Sequence, residues 1–184
     1  MALIQSELIL WVGQKHSGKT TSVAKLAQRV QDEGFNVAGI LAPSTYENGQ
    51  LIGFDVLDLW NGTRVPLANR QANVNKSEAF VFTDAGLKLG KIALSPAATK
   101  AYNLVIIDEF GPLELHGNGW RKDVDLLLSS SNALLLLVVR RELADQVQQL
   151  YANIPSRKLN STEPASIDKV IAILRNRHAS ESKS

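Results

Sequence analysis

The sequence predicts an α/β fold in which a mostly parallel β-sheet carries helices on both faces. Short, largely apolar runs occupy residues 8–12, 36–42, 104–107 and 133–139. Runs of this kind, without alternation, are typical of strands that are buried on both faces, as in a parallel sheet. Stretches in which apolar residues recur every three or four positions separate the runs and predict helices. Buried strands that alternate with helices indicate this fold class.

The first predicted helix spans residues 19–33, directly after the first strand. Its apolar residues repeat at positions i, i+3, i+4 and i+7, and Gly34 stands where a glycine often ends a helix. A helix is also expected to begin at Pro96, because proline is favoured in the first turn. The same period predicts three other helices, from about residue 84, at 143–154 and at 167–174.

A different kind of strand is expected between residues 44 and 69. Asn48-Gly49 and Asn61-Gly62 border an apolar segment, and Asn-Gly pairs favour the positive φ angles of tight hairpin turns. We therefore expect a β-hairpin insertion at 44–69, within a single domain that spans residues 1–178. The small polar residues 179–184 predict a flexible tail.

Composition excludes several classes of protein. The absence of cysteine from 184 residues excludes disulfide frameworks, thiolate catalysis and thiolate zinc sites. A net charge of +2 gives no overall basic surface, which makes a nucleic-acid partner a disfavoured hypothesis. The longest apolar run, 133–139, is too short to span a bilayer, and the first seven residues lack the Lys or Arg of a secretory signal. We therefore expect a cytoplasmic protein that does not enter a membrane.

Residues 13–20 match the phosphate-binding pattern G-x-x-x-x-G-K-[ST], with a strand before it and a helix after it. The two glycines let the backbone curl around phosphate oxygens, and the helix N-terminus adds positive potential. Lys19 is expected to contact the β- and γ-phosphates, and Thr20 to bind Mg²⁺. Lys15 and His16 either add positive potential over the phosphates or are simply solvated. The predicted nucleotide contacts are Gly13, Gln14, Lys15, His16, Ser17, Gly18, Lys19, Thr20 and Thr21.

Two carboxylates follow the apolar run at 104–107. Asp108 and Glu109 stand at the carboxyl end of the predicted strand, which is where open α/β sheets bind ligands. Asp108 is predicted to hold Mg²⁺ through its water shell. Glu109 is predicted to orient or deprotonate a water molecule that attacks the γ-phosphate. The alternative interpretation is a pair of solvated acids at the end of a strand.

Two arginines, Arg140 and Arg141, follow the run at 133–139 and are expected at the same edge of the sheet. Hydrolysis gains from an arginine beside the γ-phosphate, so either residue is a candidate for that contact. The alternative is that the two arginines cap the strand and pair with Glu142 or Asp145.

From about residue 7 to residue 150, the chain resembles the THEP1-type nucleoside-triphosphatase family. The resemblance is carried by the motif at 13–20, by the hairpin region from Gly53-Phe54, and by Asp108-Glu-x-Gly111-x-x-Glu114-Leu115. It implies a RecA-like P-loop NTPase fold, built as a three-layer sandwich. It also implies Mg²⁺-dependent hydrolysis of ATP, GTP and other nucleoside triphosphates to diphosphate and phosphate. Glu114 is implied to support the metal and water site.

Two other functions stay open on the sequence. One is a nucleoside or nucleotide kinase, and the other is a nucleotide-switched adaptor similar to P-loop accessory proteins of molybdopterin-cofactor assembly. Kinases of this kind often carry an arginine-rich lid, and no such cluster stands out among the nine arginines. The guanine-reading pattern Asn-Lys-x-Asp does not follow Asp108, so guanine specificity is not predicted. A core of this length leaves little room for a separate substrate domain, which favours hydrolysis, and a monomer is expected.

Overall fold

The computed structural model describes residues 6–71, 80–95 and 101–181. The helix predicted to begin at Pro96 lies outside these residues. Within them the strands are β1 (Leu8–Gly13), β2 (Val37–Leu41), β3 (Ser44–Glu47), β4 (Gln50–Asp58), β5 (Arg64–Arg70), β6 (Phe80–Phe82), β7 (Leu104–Asp108), β8 (Leu134–Arg140) and β9 (Ser156–Asn160). The helices are α1 (Lys19–Asp32), α2 (Asp84–Ala93), α3 (Pro112–Leu115), α4 (Arg121–Ser130), α5 (Ala144–Leu150) and α6 (Ala165–Glu181), with a 3₁₀ turn at Arg141–Leu143.

All the described strands join one sheet in the order β6-β5-β4-β2-β7-β8-β1-β9, with β3 paired to β4. The strands β2, β7, β8, β1 and β9 are parallel to their neighbours in this series, which confirms the predicted parallel sheet. The strands β3 to β6 extend it as an antiparallel half. Consequently β8 lies between β1, which leads into the glycine-rich loop, and β7, which ends in Asp108.

The sheet is the middle of three layers, with helices packed on both of its faces. Its parallel strands bury alternate side chains on opposite faces. In β1, Leu8 and Leu10 join the apolar cluster on one face, whereas Ile9 and Trp11 join the cluster on the other. Residues of α2, α4 and α5 complete the first cluster, and residues of α1 and α6 complete the second. The predicted α/β architecture with helices on both faces is therefore confirmed.

Helix α1 ends just before Gly34, the position at which the sequence predicts a terminating glycine. The backbone N–H of Gly34 donates to the carbonyl oxygen of Gln31, and that of Phe35 donates to Val30. This pair of hydrogen bonds closes a helix through a residue in the left-handed conformation, and Gly34 has a φ of 85°. Glycine adopts this angle at little steric cost.

The segment 44–69 contains two hairpins where the sequence predicts one. Asn48 and Gly49 join β3 to β4 with φ angles of 49° and 76°, both in the left-handed region that a tight two-residue turn requires. A longer turn containing Gly62 joins β4 to β5, which pair antiparallel. Because β4 also pairs with β2, the segment widens the main sheet.

Strand β9 is not predicted from the sequence. Its only buried residue is Leu159, and the remaining side chains are polar, so it lacks an apolar run. An edge strand can be polar because one of its sides faces solvent. Helix α6 continues through Glu181, beyond residue 178, after which the sequence predicts a tail. No helix in the described parts of the chain is long and apolar enough to cross a membrane.

Candidate active site

The carboxyl ends of β1, β8 and β7 form one edge of the sheet, and the predicted functional residues lie there. The glycine-rich loop (residues 13–18) leaves β1, Arg140 ends β8 and Asp108 ends β7. Gly13 pairs in register with Arg140, and Asp108 pairs with Val138. The strand order β1-β8-β7 thus brings to one edge two motifs that lie about ninety residues apart in the chain.

The glycine-rich loop is open to solvent along its outer surface. Residues 14–18 and Thr21 are exposed, whereas Lys19 is only 7% exposed. Gly18 and His16 have φ angles of 78° and 61°, so the chain passes twice through the left-handed region within three residues. The first N–H groups of α1, which begins at Lys19, have no partners within the helix, and an anion can accept hydrogen bonds from them.

Hydrogen bonds anchor the loop to the sheet beneath it. The indole Nε1 of the fully buried Trp11 donates to Ser22 Oγ at 2.9 Å, and that hydroxyl donates to the carbonyl oxygen of Lys19 at 3.0 Å. The Lys19 ammonium donates to the carbonyl oxygen of Gln14 at 3.0 Å. The first turn of α1 is therefore held by β1, and the Lys19 side chain lies back across the loop.

Gly13 is required because two serine hydroxyls approach its backbone. A Cβ atom at this position would lie 2.3 Å from Ser161 Oγ and 2.7 Å from Ser17 Oγ. Ser161 follows β9, and its backbone N–H donates to the carbonyl oxygen of Val12 at 2.8 Å. Its buried hydroxyl has no hydrogen-bond partner among the described residues. The sequence offers no signal for this contact, because β9 itself is not predicted.

Asp108 is buried beside Thr20, and these are the two residues that the sequence assigns to Mg²⁺. The Asp108 side chain is 2% exposed, its Oδ2 accepts a hydrogen bond from the Ala42 backbone N–H at 3.2 Å, and Thr20 hydrogen-bonds to it through its hydroxyl. Burial raises the pKa of Asp108 to about 6, and the nearby Glu109 charge also raises it. The two hydrogen bonds and the Lys19 charge act in the opposite direction.

Glu109 lies between two cations. Its Oε1 accepts a hydrogen bond from Arg140 Nε at 2.7 Å, and its Oε2 lies 4.0 Å from Lys19 Nζ. The alternative in which Arg140 pairs with Glu142 or Asp145 is wrong, because its partner is Glu109. The groups predicted on β1, β7 and β8 therefore form one connected cluster.

Arg141, the second arginine of the predicted pair, takes a different position. It is exposed and begins the 3₁₀ turn Arg141–Leu143 that leads into α5. Asp145, one of its expected partners, pairs instead with Lys158 of β9.

Glu114 joins two parts of the acidic loop (residues 109–120) through hydrogen bonds. It is 5% exposed, and its Oε2 and Oε1 accept hydrogen bonds from the backbone N–H groups of Gly111 at 2.9 Å and Trp120 at 3.1 Å. Burial raises the pKa of Glu114, although these hydrogen bonds lower it. The Trp120 ring packs on α2, where a Cβ atom at Gly90 would lie 2.2 Å from it. Glu114 thus braces the segment that carries Glu109.

Comparisons with known proteins identify the family. A family model described as NTPase matches residues 9–172. Nucleoside-triphosphatase THEP1 of Methanothermobacter thermautotrophicus is 34% identical over 141 residues, which make up 73% of this chain and 78% of the relative. The chain belongs to the THEP1-type nucleoside-triphosphatase family. The family and the enzyme class that the motifs predict are confirmed.

Solved structures share the fold of this THEP1-type chain. The solution structure of a human cancer-related nucleoside triphosphatase has a TM-score of 0.65 at 20% identity, covering 97% of this chain and 98% of its own. The crystal structure of THEP1 from Aquifex aeolicus has a TM-score of 0.65 at 17% identity, covering 91% and 98%. At these identities the likeness shows the fold alone, and it agrees with the predicted P-loop architecture.

Proposed function

We propose that this THEP1-type chain hydrolyses ATP, GTP and other nucleoside triphosphates to diphosphate and phosphate, with Mg²⁺ as cofactor. The observation that carries the proposal is the position of Glu109, whose carboxylate lies 4.0 Å from the ammonium of Lys19. Lys19 is the lysine of the phosphate-binding motif, so this carboxylate lies beside the place of the γ-phosphate. A carboxylate in this position can accept a proton from a water molecule that lies next to the γ-phosphate.

The residues present fit a bound Mg²⁺ ion. Mg²⁺ prefers hard oxygen ligands and usually keeps several of its waters, so one or two protein groups and the substrate phosphates suffice. The Thr20 hydroxyl and the Asp108 carboxylate are such groups, and they are already in contact. The described residues contain no cluster of three His, Cys, Asp or Glu side chains that would suit a metal bound by protein alone. When bound, the ion would neutralise charge on the phosphate oxygens.

The remaining chemistry falls to side chains of the chain itself. Lys19 and the N–H groups at the start of α1 hold the triphosphate, and Glu109 orients a water molecule and accepts its proton. The water oxygen forms a bond to the γ-phosphorus, and the bond from that phosphorus to the bridging oxygen breaks. The electron pair of that bond leaves with the nucleoside diphosphate.

Phosphate release from ATP, GTP, CTP and UTP, each with and without Mg²⁺, tests the proposal. We expect several of the four to be hydrolysed with Mg²⁺ and none after chelation. A parallel reaction with γ-labelled ATP and a panel of nucleosides should place the label in free phosphate. Label on a nucleoside hydroxyl, or no phosphate release from any of the four, contradicts hydrolysis as the native reaction.

The substitution Glu109→Gln tests the assigned base. We expect kcat to fall by about 10²–10⁴, the usual contribution of a positioned base, while nucleotide binding persists. Glu7→Gln is a matched control, because Glu7 also accepts a hydrogen bond from an arginine, Arg157 Nε, at 2.8 Å. Glu7 precedes β1 and so lies at the opposite end of the strand from the glycine-rich loop. Normal turnover in Glu109→Gln removes Glu109 from the mechanism.

A further inference from the structure

Arg140 occupies the position between the two halves of the site. It ends β8, which has β1 on one side and β7 on the other, and it pairs in register with Gly13. Its guanidinium therefore leaves the sheet between the glycine-rich loop and the acidic residues that follow β7. The side chain is 30% exposed, so part of it is open to the solvent above this edge.

The carboxylate of Glu109 bridges the two cations at this edge. One of its oxygens accepts the hydrogen bond from Arg140 Nε at 2.7 Å, and the other lies 4.0 Å from Lys19 Nζ. A γ-phosphate bound through Lys19 brings three oxygens and more negative charge to the same place. Phosphate and carboxylate both accept paired hydrogen bonds from a guanidinium, so the two groups compete for Arg140.

We propose that Arg140 is the arginine that neutralises charge on the γ-phosphoryl group, and that it comes from the same chain as the glycine-rich loop. The nucleoside triphosphate takes the place of Glu109 on the guanidinium and on Lys19. That exchange frees the Glu109 carboxylate to accept the proton of the attacking water. This inference rests on the proposed hydrolysis, and it assigns the role to one of the two arginines that the sequence leaves equivalent.

The exchange makes the γ-phosphate the signal that prepares the site. A nucleoside diphosphate has no group to compete with Glu109, so the Arg140–Glu109 ion pair stays closed in its presence. After hydrolysis and phosphate release, the pair forms again. The chain should therefore bind a triphosphate in preference to the corresponding diphosphate, and Arg140 should account for part of that preference.

The kinetic test compares four arginine variants, Arg140→Ala, Arg140→Lys, Arg141→Ala and Arg157→Ala, under saturating ATP and Mg²⁺. Arg140→Ala should lower kcat by about 10³ or more, the contribution of an arginine at the γ-phosphate. Arg140→Lys keeps the charge but not the planar fork, and it should recover only part of the loss. Free guanidinium added to Arg140→Ala should restore some turnover, a response that a purely structural role does not produce. Arg157→Ala is the matched control, since Arg157 Nε makes the same contact with Glu7 at 2.8 Å.

A binding test reports on the same contact independently of turnover. A non-hydrolysable triphosphate, the diphosphate, and the diphosphate with aluminium fluoride are titrated against each variant. In Arg140→Ala the preference for the triphosphate over the diphosphate should fall by about tenfold, the scale of one hydrogen bond to a charged group. Trapping of the aluminium fluoride complex, which resembles the transferring phosphoryl group, should be lost. Thermal unfolding of each variant checks that it folds.

Two results overturn the assignment of Arg140. One is a kcat for Arg140→Ala within about threefold of the unsubstituted chain, far below the effect of a γ-phosphate arginine. The other is an unchanged preference for triphosphate over diphosphate. A collapse of kcat in Arg141→Ala, with Arg140→Ala active, would transfer the role to the neighbour. Absence of turnover in the unsubstituted chain defeats the proposed hydrolysis, and the binding preference then still decides the role of Arg140.

Discussion

The glycine-rich loop and the acidic loop meet at one edge of the sheet, but they are held in different ways. The first is exposed and takes its shape from backbone conformation, with Gly18 and His16 both in the left-handed region. The second has buried residues within it, and Glu114 braces it with hydrogen bonds to two backbone N–H groups. One loop exposes its main chain to solvent, and the other carries carboxylates whose charge depends on their surroundings.

This difference predicts how each loop fails. Substitutions in the glycine-rich loop should act by steric conflict and should weaken nucleotide binding. Substitutions of Asp108 or in the acidic loop should alter a buried charge or leave backbone N–H groups without an acceptor. The free energy of unfolding and kcat should then change, while nucleotide affinity changes little. Three substitutions test the contrast. They are ordered by their expected effect on turnover or nucleotide binding, from the largest to the smallest.

Asp108→Asn should have the largest effect on turnover, because it removes a charge and keeps the shape of the side chain. We expect phosphate release to fall roughly 10³-fold, since a metal contact contributes several kcal/mol to the transition state. Stability should change in the opposite direction. Burial raises the pKa of Asp108 from 3.8 to about 6, so ionising it costs free energy in the folded chain.

The sign of this effect follows from proton binding. Between pH 3.8 and about 6 the folded chain retains a proton that the unfolded chain loses, so the contribution of Asp108 to stability falls as the pH rises through that interval. At about pH 8 the asparagine variant should exceed the unsubstituted chain by up to about 3 kcal/mol, and the gap should close below the ordinary pKa. Chemical denaturation at about pH 8 and at a pH below the ordinary pKa of aspartate, each without nucleotide or metal, measures the difference in the free energy of unfolding between the two chains. A variant that is less stable at both contradicts the assignment.

Gly13→Ala should have the next largest effect, and it should appear in binding. The added methyl group meets Ser161 Oγ at 2.3 Å, so the start of the loop must move. We expect triphosphate affinity to fall by up to about 10², the scale of an ångström-sized displacement. Ser161→Ala in the same chain should restore part of the affinity, because it removes the nearest conflicting atom. Strictly additive losses in the double variant would show that the two residues do not interact.

Glu114→Ala should have the smallest effect on binding and a clear effect on stability. It leaves the N–H groups of Gly111 and Trp120 without their acceptor, at roughly 1–3 kcal/mol for each buried amide. Glu114→Gln keeps one oxygen acceptor and should lose about half as much. Denaturant unfolding measures the loss, and nucleotide titration should show affinity within about threefold, because the glycine-rich loop stays intact. If nucleotide affinity and kcat fall by the same factor in Glu114→Ala, the two loops are not held independently of each other.

The same contrast explains which parts of the site could be predicted from the sequence. The glycine-rich loop depends on a contiguous spacing, and its conformation needs only glycine and its immediate neighbours. The hairpin turn at Asn48-Gly49 and the helix end at Gly34 follow from local backbone chemistry in the same way. Asp108 and Glu109 could be placed because they stand at the carboxyl end of a buried strand.

Contacts between segments distant in sequence could not be predicted. Ser161 lies against Gly13 because β9 pairs with β1, and β9 has no apolar pattern. Arg140 and Arg141 are equivalent in the sequence, and the last residue of β8 is the one whose side chain meets Glu109. The acceptor role of Glu114 depends on the fold of the acidic loop around it.

The sequence by itself determined the α/β class, the phosphate-binding loop and the acidic strand end, because local periodicity and contiguous spacing encode each of them. The tertiary structure decided the strand order, and with it the partners of each functional group. Placing β8 between β1 and β7 sets Arg140 against Glu109, and burial gives Asp108 its raised pKa. Both results depend on which distant residues exclude water and which charges they bring, and no single segment of the sequence contains that information.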